Sequence, residues 1–402
     1  MTPSFLYAKT AWLWFLIAAI MGLLLRWQFV LPTAGLNYKF FLHGHSHLML
    51  LGWLFNAVLA LYTIAFIPTR LRSHQKYYWF FGLFQLSVLG MMICFPIQGY
   101  KAFSIAFSSL HIFVSYAFVY VFWRDSRAVV PKGNIAYHFV GWAWFFHLIS
   151  TLGPFALGII MAKNLNTGHL YELAIYYYLH FQYNGLFIFA ILGIFFWLLN
   201  QHSIPYDQQK AGYFLRLMIF SCIPAYALST LWTQPPLWVY VLAWVAASLQ
   251  MLALAVGGKL VWEIRAYLQQ QLKPWAYRLF FLAAMAFALK HFLQFLSAFE
   301  SLAMLAYQFR NITIAYLHLV FLACLSLFLL AAFIQQGWID MQARRSRWGV
   351  ILLLVGIISS ELLLLLQLPF LQYEAYLPDY YLCVWGASLF LPVGLGLLVV
   401  RK

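Results

Sequence analysis

Apolar stretches of about twenty residues recur along the entire chain, and they constrain the fold more than any other feature. A helix needs roughly 20 consecutive apolar residues to cross hydrocarbon. Windows of that length fall near 8–30, 42–67, 77–98, 102–123, 136–161, 173–199, 212–231, 236–262, 276–300, 313–335, 348–368 and 381–400. Only 8% of the residues are charged and 65% are hydrophobic, too little charge to cover a water-soluble surface. The expected fold is all-α: a polytopic membrane helical bundle of about twelve transmembrane helices. It forms a single domain over residues 1–402, with no soluble domain and no repeat strong enough to suggest two transporter halves. The first apolar run lacks a small-residue cleavage site and reads as a membrane helix rather than a signal peptide.

The formal charge of +15 is a matter of placement. Cations cluster in every second loop: Arg70, Arg72 and Lys76; Arg124, Arg127 and Lys132; Lys210; Arg265, Lys273 and Arg278; Arg344, Arg345 and Arg347. The intervening loops hold few, and the last contributes only Glu374 and Asp379. This asymmetry places Lys9 and Arg401-Lys402 both in the cytoplasm, and the expected location is a bacterial inner (cytoplasmic) membrane, crossed many times. It argues against nucleic acid as a partner; the expected partner is the lipid bilayer. The four cysteines (Cys94, Cys222, Cys324, Cys383) lie inside apolar runs without a CxxC pair. That argues against a disulfide framework, an iron–sulfur site and covalently attached haem.

Histidine is the residue type that composition does not explain. An imidazole in hydrocarbon costs free energy unless something binds it, so its default reading is functional. His43, His45 and His47 open the second apolar run, and topology places His45, His111, His180, His291 and His318 in the outer half of the bilayer. From His45, steps of four, seven and eleven reach Met49, Gly52 and Asn56, a small and polar face. From His47 they reach Leu51, Leu54 and Val58, so His45 is the inward member and the other two are its neighbours. Tyr176, Tyr177, His180, Tyr183 and Asn184 form one polar stripe, and Lys290, Gln294, Ser297 and Ser301 another, with His291 at its edge. His138 and His147 read as structural; His74, His169 and His202 are loop residues.

Two imidazoles from different helices suit a haem iron held on both faces, and one imidazole leaves a position open for a gas. Haem propionates need cations, for which Arg26, Lys39, Lys101, Lys163 and Arg310 are candidates. Arg310 opens the helix that bears His318. Glu361, after Ser359-Ser360, is the one deep carboxylate for a proton route.

With histidines on its second, sixth and tenth helices, the chain resembles the catalytic subunit of the haem-copper oxidase superfamily. The string His45-Ser46-His47-Leu48-Met49-Leu50-Leu51-Gly52 is more similar still to the start of the NnrS family, twelve-helix haem proteins associated with nitric oxide. The resemblance implies a subunit I-like fold and a low-spin, b-type haem ligated by His45 and by His318 within Ala315-Tyr316-Leu317-His318. It also implies chemistry on nitric oxide or oxygen, with a cytochrome or quinol as electron donor. His180 sits where the sixth helix of the family supplies a copper ligand, so copper or a second haem falls to His180, with His291 as the candidate second ligand. The departures are specific. The seventh helix (Ser221-Cys222-Ile223-Pro224) lacks the paired histidines of the family. Tyr316 occupies the active-site haem ligand position, and Tyr183 precedes Asn184, which stands where many oxidases have tyrosine. Tyr183 and Tyr316 are therefore the candidate catalytic residues. The competing expectations are a non-enzymatic haem or metal sensor or assembly factor, and a transporter using the polar stripes.

Overall fold

The computed structural model describes residues 2–131, 133–165, 168–370 and 377–401. Lys132, Glu374 and Lys402, named above in the charge pattern, lie outside the described residues. Helix dominates, and no strand occurs among the described residues. The long helices are α1 (Pro3–Val30), α2 (Tyr38–Phe66), α3 (Gln75–Gln98), α4 (Ala102–Ser126), α5 (Ile135–Ala162) and α6 (Leu170–Gln201). They continue with α7 (Gln208–Cys222), then α8 (Leu237–Gln271), α9 (Pro274–Leu296), α10 (Arg310–Gln335), α11 (Arg344–Leu366) and α12 (Pro378–Leu397).

Eleven of these are long and apolar enough to cross a membrane. The chain is a multi-pass membrane protein whose apolar helices suit a lipid bilayer. Large side chains such as Trp79 (64% exposed) and Ile97 (75%) lie on its surface, where only lipid removes the cost of wetting them. The exception among the expected spans is the seventh. The sequence predicts a helix over 212–231, but the α-helix stops at Cys222. Pro224 lacks an N–H and cannot continue the ladder, so the chain proceeds as 3₁₀ turns over Pro224–Ser229 and Leu231–Thr233.

The chain gathers into two compact units, residues 1–130 with 329–402, and residues 131–328. In the first, α3 and α4 are joined by a tight turn at Gly99, whose φ of 62° suits glycine. Their far ends are clasped by Asp125, which binds Lys76 and Arg124 and accepts from Tyr77 Oη at 2.8 Å. Helices α11 and α12 touch backbone to backbone: a Cβ built on Gly349 falls 2.7 Å from Gly394 O. In the second unit, Lys210 of α7 pairs with Glu263 of α8 at 2.6 Å.

Burial separates three helices from the rest. In α2, α6 and α10 the most apolar window is 89%, 83% and 78% buried, and no other span exceeds 39%. These are every fourth helix in chain order, a structural period that hydropathy alone did not reveal. Each is also interrupted by a π-helical stretch: Leu48–Leu54, Phe181–Phe187 and Leu319–Ser326. The widened ladder is explicit in bonds from Phe55 N to Leu50 O, Ile188 N to Tyr183 O and Leu327 N to Leu322 O, each spanning five residues. Such turns are rare and frequently mark functional sites.

Candidate functional site

Each π stretch begins directly after a histidine: His47, His180 and His318. Its fifth residue is small, being Gly52, Gly185 and Ala323 in turn. At Gly52 the backbone lies against α1, where a Cβ would fall 2.9 Å from Trp14 Cβ. At Gly185 a Cβ would fall 2.4 Å from Phe146 Cβ of α5. In this register the counterpart of His180 and His318 is His47, with His45 two residues earlier, at the position that Tyr316 holds in α10.

In the first unit, His45 Nδ1 lies 2.9 Å from the Ala18 carbonyl of α1. A carbonyl can only accept, so Nδ1 carries the proton and the lone pair sits on Nε2. That is the usual state of a metal-ligating imidazole, whose second nitrogen donates to a backbone carbonyl or carboxylate. Gly22 makes room for the ring: a Cβ there would come within 3.0 Å of His45 Cε1. His43 and His47 turn instead to α3. His47 stacks on Phe95 with centroids 4.2 Å apart and donates Nδ1–H to its own helix at His43 O, 2.8 Å away. His43 meets the Tyr100 ring edge-on at 4.7 Å. The three histidines thus separate onto two neighbours, α1 for His45 and α3 for the others.

Below them the π stretch is held by a buried amide relay. Asn56 Nδ2 donates to Leu51 O and Gly52 O at 2.9 and 2.8 Å. Its Oδ1 accepts from Gln85 Nε2 at 2.9 Å, and Gln85 Oε1 accepts from Trp14 Nε1 at 2.7 Å. His111 is buried with its ring against Phe55 and Phe84. Arg26 lies within electrostatic range of Glu361, Tyr380 and Tyr38. Its charge is therefore answered in part within the protein.

In the second unit, His180 is buried and uses both ring nitrogens. Nε2 donates to Cys222 O at 2.8 Å, and Nδ1 accepts from Asn184 Nδ2 at 3.1 Å. The first bond follows from the break in α7. In an α-helix the N–H of Tyr226 would bond Cys222 O; here it bonds Ile223 O at 3.2 Å, and the Cys222 carbonyl takes the imidazole proton. With both nitrogens engaged, His180 has no lone pair to offer a metal in this arrangement. His291 donates Nδ1–H to Phe287 O at 2.8 Å on its own helix and shares no hydrogen bond or ring contact with His180.

The two candidate tyrosines do come together. Tyr183 and Tyr316 meet edge-on with centroids 6.1 Å apart, and Tyr183 lies 6.3 Å from the His180 ring. Two residues beyond Tyr316, His318 ends the α-helical part of α10 before its π stretch. Arg310 is exposed at the start of that helix, within electrostatic range of Tyr176. Lys290, buried, donates to Gln294 Oε1 at 2.5 Å and lies within electrostatic range of Cys222, Cys324 and His180.

Sequence reasoning found the histidines but missed Gln85, Trp14 and the Cys222 carbonyl. Gln85 in an otherwise apolar run was the available signal, and Pro224 was the signal for the carbonyl. Among the described residues, no group of three or more His, Cys, Asp or Glu side chains could hold a metal ion. No protein-family model matches this chain, and no curated protein matches it.

Proposed function

We propose that this chain is a haem-binding membrane protein, with His45 and His318 as the residues that would hold haem iron. One observation carries the reading: two of the three most buried spans, α2 and α10, carry a candidate ligand, His45 or His318, within three residues of the start of a π turn. Buried apolar helices retain imidazoles where a metal rewards them. The tautomer set at His45 by Ala18 O supports it as a ligand. A haem needs at most two protein ligands, which agrees with ligands presented singly rather than in triads. When bound, haem supplies a one-electron centre that also takes small gases such as nitric oxide or oxygen if one axial position is open.

The residues around it have their own tasks. Ala18 O and Gly22 orient the His45 ring, and Arg310 offers a cation to a propionate. Tyr183 and Tyr316 place two phenols beside one another near His180. The electron donor in this reading is a cytochrome or quinol, and the protein sits in a bacterial inner membrane with both termini cytoplasmic. Copper is not part of the proposal, because both nitrogens of His180 are hydrogen-bonded.

The test is the dithionite-reduced absorption spectrum of the purified protein, with iron analysis. Sharp, split α and β bands with stoichiometric iron are expected, lost in His45→Ala and His318→Ala and kept in His180→Ala. A His47→Ala variant discriminates the two members of the His-x-His pair, because His47 holds the equivalent π register. An unchanged spectrum in His45→Ala sinks the assignment.

A further inference from the structure

The second unit contains a cavity of about 410 Å³. Its walls come from α6, α7, α8, α9 and α10, and almost all of them are apolar. Along α8 the lining runs from Leu254 to Leu268, which at 1.5 Å per residue is about 21 Å. A round cavity of that volume would reach less than half that length, so the space is longer than it is wide. It suits a hydrocarbon chain rather than a ring system.

One charged residue lines it, Arg265. The guanidinium rests on the Trp262 ring at 4.0 Å and gives one N–H to Trp262 O at 2.6 Å. It makes no ion pair among the described residues; the nearby carboxylate of Glu263 is taken by Lys210. An arginine fork with unclaimed donors matches a phosphate. Lys273 and Arg278 follow shortly in sequence and add to the positive charge of this end of the unit.

We propose that this cavity holds an acyl chain of an anionic phospholipid, with its phosphate on Arg265. Charge complementarity chooses the occupant: an apolar tube with one arginine matches a chain that carries an acid at its end. The site is separate from the histidines of the haem reading and does not depend on it.

Gly258 permits a clean test. It lines the cavity, and a Cβ built there meets nothing within 4 Å, so Gly258→Leu fills the space while raising helix propensity. Native mass spectrometry of the full-length protein in mild detergent would compare dioleoyl phosphatidylglycerol with dioleoyl phosphatidylcholine. Wild type should retain one phosphatidylglycerol about tenfold more strongly than phosphatidylcholine, whose own trimethylammonium offsets the phosphate that Arg265 would bind. Arg265→Gln should erase that preference, and Gly258→Leu should reduce retention of both lipids at an unchanged melting temperature. Equal retention of the two lipids by wild type overturns the proposal, as does an unaltered preference in Arg265→Gln. Loss in Arg265→Gln with full retention in Gly258→Leu also overturns it, since the lipid would then lie on the surface outside the cavity.

Discussion

Helices α2 and α6 share a design and use it differently. Both are buried, both carry histidine before a π stretch, and both place glycine fifth in that stretch. In α2, His45 gives its Nδ1 proton to α1 and carries its lone pair on Nε2. In α6, His180 spends one nitrogen on Cys222 O and the other on Asn184. A histidine buried in the membrane is thus not by itself a ligand. The difference lies in the carbonyl and amide groups around the ring, which set the tautomer of His45 and take both nitrogens of His180.

The strongest way to break the comparison is to exchange expectations between the two rings. If it holds, His45→Ala removes essentially all low-spin haem absorbance while His180→Ala keeps it; the reverse result ends the distinction. The next effect concerns the glycines. Gly185→Ala drives a methyl against Phe146 Cβ, and overpacking of that kind costs about 3 kcal/mol. Gly52→Ala meets Trp14 less closely and should cost about 1 kcal/mol. Thermal unfolding of both variants in detergent gives the order, and a larger loss for Gly52→Ala would contradict the geometry.

Asn56→Leu should cost about 2 kcal/mol, because Leu51 O, Gly52 O and the Gln85 amide lose partners together. Its readout is the melting temperature at unchanged helix content. The smallest effect is Asn184→Ala, about 1 kcal/mol. Its readout is again the melting temperature, which should fall less than in Asn56→Leu.

The contrast explains what the sequence displayed. Span positions were legible because hydrocarbon thickness fixes helix length, and the polar stripe through His180 and Asn184 was legible because both lie on one helix face. The steps from His45 to Asn56 also identified a buried polar face, although they cross a π stretch where helical-wheel arithmetic slips. The π turns themselves were hidden, since an inserted residue leaves hydropathy unchanged. Pro224 was visible, yet twenty apolar residues around it suggested a continuous span. The partner of His180 was out of reach for a simpler reason: it is a main-chain carbonyl, and every residue has one.

The amide relay from Trp14 through Gln85 to Asn56 makes α1, α2 and α3 a single inheritable part. Transplanting α2 with its histidines onto another scaffold would carry away the imidazoles but leave behind the two side chains that keep its backbone open at Leu51 and Gly52. A designer who wants this turn must move three helices, and random variation faces the same arithmetic: a change at any one of the three positions removes a hydrogen-bond partner from its neighbour in the relay.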